Sequence, residues 1–188
     1  MPVKALNKTL KNRSIVVVSA GGVLADRCRT TLEGEGAQVS FVDLPGEMFV
    51  EEATKQALDA ASGAEADGVV YIPGAFSGAV DAYVEDAIGG CLFALKLAMR
   101  LRAARPLDFV CLAGPAGDGQ EAEIAQSMRN GALRQMTKVA SAEAGPMDPP
   151  MTANAVFVSE GAELAAALTH LLGAPQSYVS GITLTLTN

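Results

Sequence analysis

The sequence predicts an α/β fold, a three-layer, doubly wound parallel sheet of the Rossmann-like kind. Three observations carry that prediction. Apolar, β-branched runs recur along the chain without polar alternation, the pattern of strands covered on both faces. Segments of helical spacing separate these runs. Short links containing glycine, proline or aspartate close them, and strands alternating with helices in this way build a parallel sheet with right-handed crossovers.

Taken in order, Ser14–Ala20 is the first strand and runs into Gly21-Gly22, so it reads as a central one. Leu24–Glu33 is helical and stopped by Gly34 and Gly36, after which Gln38–Val42 is a strand ending at Asp43. Pro45-Gly46 turns the chain, Phe49–Ala61 is helical, and Gly68–Ile72 is a third buried strand closed by Pro73-Gly74. Asp81–Ala104 is a long helix, apolar nearly all round, as expected where a second subunit covers its outer side. Asp108–Ala113 is a fourth strand, Glu121–Ala144 a second long helix, and Ala153–Val158 a fifth strand. Ser159 is placed to cap the next helix, with Glu160 and Glu163 in its first turn, and Ser180–Thr187 supplies the last strand. Residues 1–13, with Lys4, Lys8, Lys11 and Arg13, read as a basic leader, solvated or docked on an acidic partner. A single domain is expected over 14–188, with no repeat or low-complexity tract.

Composition narrows the function classes. Among 188 residues, 14 Lys+Arg stand against 21 Asp+Glu, a net charge of −7, and no basic run is interleaved with aromatics, so nucleic acid is not an expected partner. With 49% hydrophobic and 19% charged residues the chain has ample material for a core. Cys28, Cys91 and Cys111 are odd in number and lack C-x-x-C spacing, so they read as buried, reduced thiols. No apolar stretch suffices to span a bilayer and the N-terminal segment has no signal-peptide core, so no membrane partner and a cytoplasmic location are expected.

Several segments, in this order, resemble the short-chain dehydrogenase/reductase family, of the 3-oxoacyl-(acyl carrier protein) reductase type. Ser177-Tyr178-Val179-Ser180-Gly181-Ile182-Thr183-Leu184 resembles the family's closing strand. Asn130-Gly131-Ala132-Leu133, followed by Thr137-Lys138 and Glu143, resembles the active-site helix just after its catalytic lysine. Phe109–Gly117 resembles the strand and loop that carry the catalytic serine. The resemblance implies an Asn, Ser, Tyr and Lys tetrad, in which Tyr donates a proton to the carbonyl, Lys lowers its pKa and Ser orients the substrate. The matching positions here are Ala87, Gly114, Gln126 and Asn130, and none keeps its function. Tyr71 and Tyr83 stand elsewhere, and neither has a lysine one helical turn beyond it.

The cofactor loop implied by the resemblance is altered in the same way. In Ser19-Ala20-Gly21-Gly22-Val23-Leu24-Ala25-Asp26 the two glycines permit the turn, but Val23, Leu24 and Ala25 fall where a pyrophosphate needs close backbone approach. Asp26 complements the helix dipole and would repel a pyrophosphate. Asp43 stands where an acid binds the ribose of NAD, and reads equally as a turn residue. Tyr71-Ile72-Pro73-Gly74 replaces the family's Asn-Asn-Ala-Gly segment. Ser19, Gly21, Gly22, Asp43 and Gly74 are therefore the positions through which NAD(P) would bind, if any cofactor does. The chain is also shorter than a usual member. Between Asp43 and Gly68 there is room for one helix and no further strand, and after Val158 no room for the substrate lid. The sheet is thereby expected to shorten toward flavodoxin-like order. In these respects the chain resembles the non-catalytic amino-terminal domain of high-molecular-weight 3-oxoacyl-carrier-protein reductases.

Other constellations point to less. His170 is the sole histidine and reads as a helix-surface residue, so no metal site is expected. Cys111, at the carboxyl end of a strand, has no recognisable base beside it. Gly114-Pro115-Ala116-Gly117-Asp118-Gly119 could cradle a phosphate, which Glu121 and Glu123 oppose. Met128 and Met136 read as core or interface filler. The leading expectation is a protein that has lost the tetrad and its cofactor and serves as a structural or regulatory subunit. It would pair through helices 81–104 and 121–144 with itself or with an active reductase, Gly89, Gly90, Ala94 and Ala98 allowing close approach. The competing expectation is a divergent NAD(P)-dependent oxidoreductase with a non-standard proton donor. A third is a flavin- or nucleotide-binding module using the loops after Ala20, Gly74 and Gly114.

Overall fold

A computed structural model of the chain describes residues 9–44, 55–56, 59–60, 65–103, 105–173 and 179–188. Its elements are β1 (Ser14–Ser19), α1 (Val23–Gly34), β2 (Gln38–Asp43), β3 (Gly68–Ile72), α2 (Val80–Leu101), β4 (Leu107–Ala113), α3 (Gln120–Ala144), β5 (Met151–Val158), α4 (Ala165–Gly173) and β6 (Thr183–Leu186). The strands form one parallel sheet in the order β2-β1-β3-β4-β5-β6. Among the described residues no strand lies outside β2, so the order is the flavodoxin-like one extended by a sixth strand. Residues 55–56 and 59–60 of the helix expected over Phe49–Ala61 are helical. The turn at Pro45-Gly46, Lys4, Lys8 and Ser177-Tyr178 lie outside the described residues.

The two-residue period of the strands sorts the core into two layers. Val16, Val18, Val69, Tyr71, Phe109, Cys111, Ala153 and Ala155 pack under α2 and α3. Ile15, Val17, Val70, Ile72, Val110, Leu112, Val156 and Val158 pack under α1 and α4. Continuous apolar runs are therefore needed, because each strand feeds both layers. All three cysteines are free and buried, and burial alone pushes the Cys28 thiol up to about 12, so it stays neutral at physiological pH. Residues 9–13, in the segment expected as a leader, are held to the domain. Leu10 is fully buried, and Arg13, just before β1, pairs at 2.7 Å with Asp108, near the amino end of β4. At the sheet's edge, Phe41 of β2 is covered by the Arg29 guanidinium, 3.9 Å from the ring centre.

Two expectations need correction. Ser159 does not cap a helix. Its N–H donates to Leu186 O, extending the β5–β6 ladder, and Gly161 at φ +77° turns the chain, so α4 begins only at Ala165 and has no acid in its first turn. The small residues of α2 are not a docking surface either. Gly89, Gly90, Ala94 and Ala98 are already buried within the chain. At Gly90 an added Cβ would stand 2.6 Å from Tyr71 Oη and 2.9 Å from its Cε2. That ring is pinned, since Tyr71 is fully buried and donates to Ala87 O at 2.9 Å. Gly90→Ala is accordingly expected to cost about 1–3 kcal/mol by overpacking, read as a lower urea midpoint at unchanged slope. A midpoint equal to the wild type would mean that α2 slides freely over β3.

Candidate functional site

Two crevices open at the carboxyl ends of the strands, where open α/β sheets bind ligands. The first lies at the switch point, since β1 sits between β2 and β3 and the chain leaves it in opposite directions. Here the fold brings together the five expected cofactor positions. Ser19 is in register with Asp43 on one side and with Ile72, two residues before Gly74, on the other. A Cβ on Gly74 would lie 3.7 Å from that of Ala20. Gly21 and Gly22 have φ of +91° and +99°, which the turn into α1 requires and side chains resist.

The details of this crevice do not fit a dinucleotide. Ser19 is buried, and its hydroxyl accepts the Gly21 N–H at 3.0 Å, which uses a donor a pyrophosphate would need. Leu24 lies against Gly114, with Cδ2 3.2 Å from where a Cβ on that glycine would be. Asp26, in the first turn of α1, and Asp43 are both exposed carboxylates beside the loop. The cations of α1 are engaged elsewhere, Arg27 with Ala162 O at 2.7 Å and Arg29 on Phe41. The charge at this helix terminus therefore opposes a phosphate, and no step of chemistry is assigned to a bound nicotinamide.

The second crevice lies between α3 and the ends of β4 and β5. A cavity of about 170 Å³ is lined by Ala113, Gly114, Gln126, Asn130, Arg134, Phe157, Val158, Ser159 and Thr185. Three of the four tetrad positions, Gly114, Gln126 and Asn130, thus share one cavity. The fourth does not join them, because Ala87 is buried on α2 with its carbonyl taken by Tyr71. Gln126 Oε1 accepts the Ala116 N–H at 2.8 Å and so braces the loop after β4. Asn130 Oδ1 accepts from Arg129 Nε at 3.0 Å and Nη2 at 2.9 Å.

Arg129 organises this region and was not among the expected residues. It is only 2% exposed, yet no carboxylate pairs with it among the described residues. Its Nη2 donates to Gly114 O at 2.5 Å and its Nη1 to the Tyr83 hydroxyl, whose ring packs edge-on against Phe76 with centroids 5.3 Å apart. Burial lowers the pKa of Arg129 and raises that of Tyr83, while each opposes the shift in the other. The sequence did hold a signal, since Ala122, Ala125, Arg129, Leu133 and Thr137 form the buried stripe of α3 at helical spacing and one of them is a cation. Of the other residues considered, His170 is exposed on the last turn of α4. Cys111 is buried and partners Cys91, whose thiol is pushed up by that bond and by burial. Among the described residues no cluster of His, Cys, Asp or Glu is disposed to hold a metal, and no helix is long and apolar enough to cross a membrane.

In sequence the chain matches no family model and none of the curated proteins. In structure it is similar to a gluconate 5-dehydrogenase from Burkholderia cenocepacia J2315, solved with NADP and tartrate, at TM-score 0.74 and 14% identity over 96% of each chain. It is similar to the aldohexose dehydrogenase of Thermoplasma acidophilum at TM-score 0.72 and 14% identity, covering 95% of this chain and 93% of that one. A short-chain dehydrogenase from Mycobacterium smegmatis follows at TM-score 0.66 and 16% identity, covering 96% and 94%. The fold is therefore that of the short-chain dehydrogenase/reductases.

Proposed function

We propose that this chain is a short-chain dehydrogenase/reductase-like protein, of the 3-oxoacyl-(acyl carrier protein) reductase type, that has lost the tetrad and dinucleotide binding and serves as a structural or regulatory oligomer subunit. One observation carries the reading. At the positions matching the catalytic tyrosine and lysine, Gln126 and Asn130 spend their oxygens on Ala116 N–H and on Arg129, so both hold the protein together and neither can act as an acid at neutral pH. Gly114, at the serine position, has no side chain to orient a substrate, and Arg129 takes its carbonyl. The alternative, a divergent NAD(P)-dependent oxidoreductase, would have to draw its proton from Tyr83. That phenol does not line the cavity, and burial moves its pKa away from neutrality. Calorimetry with NADH, NADPH and FMN is expected to give no heat of binding up to about 1 mM ligand, from protein whose solution mass is a multiple of the chain mass. A dissociation constant near 1 μM, about −8 kcal/mol, for any of the three would restore the enzyme or nucleotide-module reading.

A further inference from the structure

We infer that the cavity between α3 and the ends of β4 and β5 is a binding site for a small oxyanion, the carboxylate or phosphate group of a compact molecule. The inference comes from counting donors and acceptors. Peptide N–H and guanidinium groups only donate, so the atoms facing them on Gln126 and Asn130 must be the amide oxygens. What the two side chains have left are their NH₂ groups, and neither makes a hydrogen bond among the described residues. Ser159, Thr185 and Arg134 are the other polar residues of the lining, with the Arg134 guanidinium 5.8 Å from the centre of the Phe157 ring. Among the described residues no carboxylate lines the cavity.

The charge behind the wall has the same sign. Arg129 bonds to Gly114 and Asn130, both of which line the space, and its described partners are a hydroxyl, a carbonyl and an amide, all neutral. A buried cation without a counter-charge projects a positive potential into the space beside it. Size limits the guest. A cavity of about 170 Å³ has room for a group of a few heavy atoms. The site shares Gly114, Gln126 and Asn130 with the functional reading above but draws on the amide NH₂ groups that reading leaves unused, and because one is tested by small anions and the other by dinucleotides, the two can fail separately.

The test is an amide NMR titration of the full chain with sodium acetate and, separately, sodium phosphate, against sodium chloride at matched ionic strength. Saturable shifts are expected at Gly114, Ala116, Asn130 and Ser159, with a dissociation constant of about 1 mM or tighter for at least one anion and none for chloride. Acetate alone would assign a carboxylate, and phosphate alone a phosphoryl group. Asn130→Asp keeps an acceptor for Arg129 while replacing the donor with negative charge, so the chain should fold and bind at least tenfold more weakly. Arg134→Gln, on an exposed side chain, should weaken binding several-fold and decides the matter if the first variant does not fold. Equal shifts with chloride, no saturable shift with either oxyanion, or unchanged binding by these variants would overturn the inference. Shifts confined to Gly21 and Gly22 would instead belong to the switch-point crevice.

Discussion

Arg129→Ala is expected to lower the stability of the fold by about 3–5 kcal/mol, read from urea unfolding, the range typical of breaking a buried, hydrogen-bonded charge constellation. The guanidinium ties α3 to the start of α2 through Tyr83 and to the loop after β4 through Gly114. Its removal strands the Gly114 carbonyl, the Asn130 oxygen and the Tyr83 hydroxyl, each costing about 1–3 kcal/mol where water cannot reach it. It also opens a void among buried side chains, which adds to the loss. Against this stands the relief of taking a desolvated cation out of the interior, the same desolvation that lowers its pKa. The lost bonds win because three partners depend on one side chain. Arg129→Met separates the effects, since it refills the space without restoring a donor, and it should recover less than half of the loss. A loss below about 1 kcal/mol for the alanine variant would show that the network does not hold these elements together.

The outcome for the fold follows from how local its determinants are. A run such as Ile15–Val18 divides its side chains between two layers whatever lies elsewhere in the chain, so it reads as a covered central strand from its own residues. Helix limits were nearly as local, with Gly22 and Gly119 preceding α1 and α3 at positive φ. What could not be read depends on partners distant in sequence. Ser159 looks like a helix cap until Leu186, 27 residues on, accepts its N–H. The glycines and alanines of α2 look like an external contact stripe until Tyr71 is found beneath Gly90. Gly114, Gln126 and Asn130 are legible as a set through the family resemblance, and they line one cavity. The element that binds them, Arg129, was legible only as a cation in a core stripe, and its partner Tyr83 lies 46 residues away.

Leu92→Glu combined with Met128→Glu is expected to convert the protein to a monomer of 19.3 kDa, from a wild type whose solution mass is a multiple of that value. With the small residues of α2 facing inward, large apolar side chains such as Leu92 are left outside. On the paired helices α2 and α3, Leu92 is 44% exposed, Ile124 48%, Met128 52% and Val139 51%, and all four are large and apolar. Leu95, Met99 and Met136 lie partly buried on the same two helices. Single exposed apolar residues need no explanation, but several on two adjoining helices are the pattern expected of a surface that another protein covers. Large apolar side chains of α2 thus face outward while its glycines face inward. Placing a carboxylate in each half of such a surface buries unpaired charge on association, so the dissociation constant should rise at least 100-fold, about 2.7 kcal/mol. Folding itself should be unaffected, because both side chains are solvated in the single chain. Light scattering behind a sizing column decides it. A wild type that is monomeric at about 100 μM, or a variant that keeps the wild-type mass, would remove the surface on which the subunit role rests.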